Sequence, residues 1–155
     1  MMHWLQRHSW WLLLTITAVV AVIGFSPVIS GIKEDPSVPL GISGMTAAQL
    51  EAASAQGYRL LDFQARSAGL ALVVIGTLLS AVLIAGFRHD QPWAWWVMWM
   101  LPVWGAAVCV LILAIGVAPG QLPPTPVFSG AVIAVLSTAL LLVSAPRFFG
   151  AARTD

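Results

Sequence analysis

At 155 residues, with 59% hydrophobic and only 8% charged side chains, the chain is far from the roughly 25% charged composition of a soluble domain. So much apolar surface cannot be hidden inside so short a soluble fold. The formal net charge of +1 excludes the strongly basic surface that holds nucleic acid, so no nucleic-acid partner is expected.

Uncharged stretches at about residues 10–32, 67–87, 93–118 and 127–145 each approach or exceed the roughly 20 residues that cross a bilayer core of about 30 Å. Backbone groups in lipid must bond within their own segment, and none of the runs shows the alternation of a barrel strand. The expected fold is therefore all-α: one domain, residues 1–155, forming an integral membrane bundle of four transmembrane helices. The first run is longer than the 7–15 apolar residues of a secretory signal, so it is expected to stay as a span.

Small residues mark the contact faces. Thr17, Ala21 and Gly24 lie on one side of the first span, Gly69, Gly76 and Ser80 on the second, and Gly130, Ala134, Ser137 and Thr138 on the fourth. Such faces let helix backbones approach in lipid. They serve equally to close this bundle or to dock a neighbour.

The first loop opens with KEDPSVPLGISG, whose prolines and glycines predict turns. In the following MTAAQLEAASAQG, Thr46 and Gln49 form a capping-box pattern, Met45 and Leu50 a hydrophobic staple, and Gly57 sits where a helix-ending glycine belongs. One short extramembrane helix over about 47–56 is predicted. Beyond it Arg59, Asp62 and Arg66 fall on one helical face at the entry to the second span. They form a candidate site for a lipid phosphate, an anionic headgroup or an acidic partner, or else an interfacial ion ladder whose long side chains reach water.

Within the spans the only ionisable group is the thiol of Cys109, whereas ion pumps and proton relays need titratable groups there. A single cysteine forms no internal disulfide. His3, His8 and His89 lie outside the spans, where they cannot hold a haem between helices, and no metal site is expected. With no nucleophile–base pair and no paired carboxylates, catalysis by this chain alone is not expected.

Residues 91–105, QPWAWWVMWMLPVWG, place Trp93, Trp95, Trp96, Trp99 and Trp104 on one helix. At 100° per residue Trp93, Trp96 and Trp104 share a face with Met100, while Trp95 and Trp99 point the other way with Pro102. An interface belt explains a ring of indoles, with Trp4, Trp10 and Trp11 joining it. Trp104 lies roughly 16 Å deeper than Trp93 at 1.5 Å per residue. Its N–H is expected to find a partner inside the bundle, beside a bend that Pro102 imposes. Trp99 and Trp104 thus flank a candidate slot for a quinone, a carotenoid or a lipid tail; otherwise no cofactor is expected.

Four spans put both termini on one side, with Arg7, Arg88, Arg147 and Arg153, against Lys33, Arg59 and Arg66 on the other, where Glu34 and Asp35 accompany Lys33 and the second outer loop, APGQLPPTP, carries no charge. The positive-inside rule makes the termini cytoplasmic, in what is expected to be a bacterial cytoplasmic membrane. The DFQARSAGLALVVIGTLLS stretch followed by FRHDQPWAW resembles the DoxX-like group of small four-helix bacterial membrane proteins, whose E/D-x-x-x-R-x-x-G pattern is matched by Asp62, Arg66 and Gly69. The resemblance spans about residues 58–100 and implies an accessory membrane subunit, with a quinone-associated oxidoreductase role as its further implication. The leading expectation is a non-catalytic accessory or assembly subunit of a larger membrane complex, whose partners are membrane lipids and other membrane subunits. Binding or transport of an apolar molecule is the alternative.

Overall fold

The computed structural model describes residues 2–150 and all their side chains except those of Met2, His3, Leu5 and Arg7. Arg153 and the side chains of His3 and Arg7, used above, lie outside the described residues. The elements are α1 (Met2–Ser30), α2 (Ser37–Ser43), α3 (Ala47–Ala53), α4 (Ala55–Ala85), α5 (Pro92–Met98), α6 (Met100–Ile115) and α7 (Thr125–Phe149), with 3₁₀ turns after α1 and α4. No strand occurs among the described residues. Four segments are long and apolar enough to cross a membrane: His8–Lys33, Ala55–His89, Pro92–Ile115 and Thr125–Phe149. The fold is an all-α membrane bundle with short helices in its first loop.

Several boundaries differ from expectation, each for a local reason. Thr46 and Gln49 make the reciprocal capping box, but α3 stops at Ala53 because Ser54 is extended at φ −158°. The Ser54 hydroxyl then accepts from Gly57 N at 3.1 Å, so Gly57 lies in the first turn of α4 and does not end a helix. Helix α4 accordingly starts at Ala55, well before residue 67, and is 31 residues long, or roughly 45 Å. The stretch read as turns contains α2, since Pro36 and Pro39 occupy its cap and first turn, where a missing N–H costs nothing. Gly44 closes α2 at φ +71°.

In the bundle α1 lies between α4 and α7, α6 packs on α7, and α5 bridges α4 and α7. The small-residue faces close the bundle itself. A Cβ on Gly24 would stand 2.7 Å from the Gly69 carbonyl, and one on Gly69 equally close to the Gly24 carbonyl. One on Gly76 would meet Thr17 O and Ala21 N at 2.7 Å, and Thr17 Oγ1 hydrogen-bonds Ser80 Oγ at 2.8 Å. Gly105 of α6 and Gly130 of α7 abut in the same way.

The apolar core, which includes Leu13, Leu79, Leu83, Phe87, Trp95, Met98, Leu101 and Leu141, gathers toward the end that carries both termini. There Arg147 of α7 donates to the Gln6 carbonyl of α1 at 2.8 Å and pairs with Asp90. The far end is closed by loops: Ala118 N donates to Gly41 O at 2.7 Å, and Thr125 N donates to Ser37 Oγ at 2.9 Å. Between these closures α4 and α6 scarcely touch.

Replacing Gly76 with Leu drives a side chain into the α1 backbone. The expected loss is at least the roughly 1–3 kcal/mol of an overpacked core, read by denaturant unfolding in detergent. Ala71→Leu, on an exposed position of the same helix, should leave the transition within about 0.5 kcal/mol.

Candidate functional site

The polar face at the head of α4 meets the end of α1. Asp62 Oδ1 accepts from Ile32 N at 3.0 Å, and Asp62 Oδ2 accepts from Arg66 Nε at 2.8 Å. Arg66 Nη1 donates to the carbonyls of Val28 and Ile29, both at 2.8 Å. These carbonyls belong to the last turn of α1, where no intrahelical N–H reaches them. A guanidinium there also suits the negative end of the helix dipole. The chain leaves α1 through Gly31 at φ +63°, where a Cβ would stand 1.8 Å from Asp62 Oδ1. Asp62, Arg66 and Gly31 therefore form one composite cap that fastens α1 to α4.

Arg59 stands apart. It is exposed and takes no hydrogen bond or ion pair among the described residues. Beside it Lys33 lies over the Tyr58 ring, 5.9 Å from its centroid. Of the three residues on this face, the structure joins two to α1 and leaves Arg59 as the available cation.

The tryptophans divide by face. Trp93 and Trp96 are exposed along with Met100, as an interface belt requires, and Trp4 and Trp11 are exposed at the same end. Trp95 is not a belt residue. It is only 7% exposed, its Nε1 donates to the Leu141 carbonyl at 3.0 Å, and Trp99 and Phe149 meet it edge-on at 5.6 and 5.0 Å. The hydrogen bond across the bundle expected of Trp104 is thus made by Trp95. Trp104 is half-buried and makes no side-chain hydrogen bond among the described residues. The cause is the line Ala94/Trp95, Met98, Leu101/Pro102 and Gly105, which turns inward and leaves Trp104 on its flank.

The third span is interrupted at Trp99, between α5 and α6, where Trp99 keeps helical dihedrals of φ −64° and ψ −16°. Trp99 N reaches the Trp96 carbonyl at 3.2 Å in a tighter turn. The indole Nε1 of Trp99 is buried with no partner among the described residues. Two grooves indent the sides of the bundle. One lies along α1 from Trp11 to Ile23. The other, about 450 Å³, runs between α4 and the third span from Ile75 and Leu78 to Ala85, with Trp93, Val97 and Met100 on its other wall. Neither is lined by Trp99 or Trp104. By helical rise, Trp104 and Asp62 differ in depth by roughly 20 Å, so the two candidate groups do not form one site.

Two features escaped sequence reasoning. Arg147 and Asp90 stand 57 positions apart, and nothing local to either announces the pair. Cys109 Sγ donates to the Val127 carbonyl at 3.1 Å, a contact set by the closeness of Gly105 and Gly130. No family model matches the chain, and neither a curated protein nor a solved structure matches it.

Arg66→Gln strips the cap from α1. Amide exchange in a peptide covering residues 26–33 should accelerate, with a stability loss of about 1–2 kcal/mol, the lower part of the range for hydrogen bonds to a charged group because water reaches this side chain. Arg59→Gln should leave that peptide unchanged.

Proposed function

We propose that the protein is a non-catalytic accessory subunit of a larger membrane complex, docking partner helices along the far half of its α6–α7 hairpin. The observation that carries this reading is how little of that hairpin the bundle covers. Val110, Leu111 and Leu113, on successive sides of α6, are 66%, 61% and 58% exposed. Phe128, Val132 and Val135 of α7 are open as well. Only 22–28% of each span's most apolar stretch is buried within the bundle, which leaves most of the surface of every span, this hairpin included, to lipid or to partner helices. Polar groups that a catalyst or carrier would use are bound internally: Asp62 and Arg66 in the α1 cap, Arg147 on Gln6 and Asp90, Thr17 on Ser80. A quinone held at the head of α4 would find Arg59 alone unengaged.

Photo-crosslinking residues placed at Leu111 and Val132 test the reading in native membranes. Discrete adducts with another polypeptide at both positions are the expected result. Lipid adducts alone at both would overturn it.

We propose further that the termini lie in the cytoplasm of a bacterial cell. Arg7, Arg88, Arg147 and Arg153 fall on the termini side in the sequence, against Lys33, Arg59 and Arg66 on the far side, where Glu34 and Asp35 offset Lys33 and the second loop is without charge. In a Cys109→Ala background, Gln121→Cys should react with an impermeant maleimide on intact cells, and His89→Cys only after permeabilisation. The reverse pattern would invert the orientation.

A further inference from the structure

The interruption of the third span leaves polar groups short of partners inside the bundle. Trp99 N turns to the Trp96 carbonyl, so the Trp95 carbonyl goes without the donor that a continuous helix would give it. Pro102 has no N–H for the Met98 carbonyl. Trp99 Nε1 lies at the same interruption, buried and with no partner among the described residues. A donor left unpaired in an apolar interior loses its hydration and gains nothing in return. By helical rise it stands roughly 9 Å inside the level of Trp93 in the belt, so it is within the hydrocarbon.

The neighbouring helix brings an acceptor to this level. Gly130, Ala134, Ser137 and Leu141 follow one another along α7 at spacings of four, three and four, which makes them one stripe. Three contacts fix its register against the third span: Trp95 Nε1 on the Leu141 carbonyl, Gly105 against Gly130, and Cys109 Sγ on the Val127 carbonyl. The two spans run antiparallel, so Trp99, one turn beyond Trp95, comes level with Ser137, one turn before Leu141. The Trp99 ring packs beside the core, edge-on to the buried Trp95 ring. Ser137 is fully buried and gives its proton to the Ile133 carbonyl of its own helix, which leaves its oxygen able only to accept. The hydroxyl pair of Thr17 and Ser80 satisfies itself directly; Trp99 and Ser137 do not.

What completes this set must accept one hydrogen bond from the indole and donate to oxygen. A lipid tail can do neither, and no charged side chain is present among the span's residues to hold an ion. Water does both, and buried waters typically make about three hydrogen bonds to groups of this kind. Interrupted membrane helices are satisfied in the same way. We propose that the interruption at Trp99 holds one buried water, which accepts from Trp99 Nε1 and donates to Ser137 Oγ and to a backbone carbonyl freed at the interruption. The site lies inside the bundle, so it and the accessory role stand or fall separately.

Proton NMR of the full chain in deuterated detergent, with isotopically labelled indoles, tests the site by following magnetisation transferred from water to each indole N–H. Single Trp→Phe variants assign the signals, and a soluble gadolinium chelate marks the groups that bulk water reaches. Trp99 should receive magnetisation from water and stay sharp with the chelate present, while Trp93 and Trp96 broaden. Trp95, bonded to the Leu141 carbonyl, should receive none. Ser137→Ala removes one of the water's acceptors and should lower the transfer to Trp99 severalfold, with the Trp95 signal unmoved. No transfer to Trp99 in the wild type would overturn the proposal. So would broadening of Trp99 by the chelate, which would mean access from bulk solvent. A Trp99 signal silent to water that moves in Ser137→Ala would reveal a direct indole–hydroxyl bond, with the same consequence. Transfer unchanged in Ser137→Ala would overturn the part given to Ser137.

Discussion

Backbone pressed on backbone is the contact on which this molecule depends. Lipid tails solvate a leucine as well as another leucine does, so helices in a membrane gain little from hiding apolar side chains from one another. What remains is close packing, and it requires positions with almost no side chain. Gly24 against Gly69, Gly76 against Thr17 and Ala21, and Gly105 against Gly130 meet this need. Further bonds follow from that closeness. Thr17 reaches Ser80 and Cys109 reaches Val127 only because the helix axes have already been drawn together. The pairs α1–α4 and α6–α7 are thus the tight units of the fold, and the remaining contacts arrange these two units.

The ends of the helices pose the opposite problem. A helix that stops near the hydrocarbon boundary leaves carbonyls without N–H partners where water is scarce. Helix α1 stops there, and Arg66 and Asp62 reach from α4 to satisfy both sides of its last turn. At the termini end Arg147 serves Gln6 and Asp90 together. Long cations suit this work because their apolar stems lie along the helices while the head group spreads several donors. A face of Arg and Asp at a span's entry therefore has a structural use wherever a neighbouring helix ends at the same depth. Arg59 lies one turn further out and takes no hydrogen bond or ion pair among the described residues.

Sequence periodicity made much of this legible, for a reason the glycines explain. Close approach demands a small residue at the contact point itself, so the signal is local: Thr17, Ala21 and Gly24, and Gly69, Gly76 and Ser80, were readable from spacing alone. The capping box of Thr46 and Gln49 was legible on the same ground. The start of α4 was not. Charges at Arg59, Asp62 and Arg66 read as the edge of a span, whereas the helix runs through them because α1 supplies what they bond. Trp95 was placed in the belt because five indoles on one helix look alike in sequence. Its burial depends on where α7 passes, and hence on Gly105 and Gly130. The Arg147–Asp90 tie depends on the whole bundle and has no local trace.

The two ends of the bundle also differ in how their surfaces are satisfied, and the solvent explains why both are stable. Near the termini the core is filled, with Leu13, Leu83, Phe87, Met98 and Leu141 fully buried and an ion pair fastening the loop to α7. Toward the far end the α6–α7 hairpin stands largely open. In water such faces would drive aggregation. In lipid they cost nothing, since acyl chains cover them as well as protein would. An open hairpin can therefore persist in lipid, and the partner helix proposed above would displace only lipid. The strength of such docking would be set by close packing, so the positions that would matter are those where the hairpin presents small residues between large ones. Ala106, Ala107, Ala114 and Ala131 are exposed among Val110, Leu111, Leu113 and Val132, and a helix with bulky side chains at matching intervals has room to approach there.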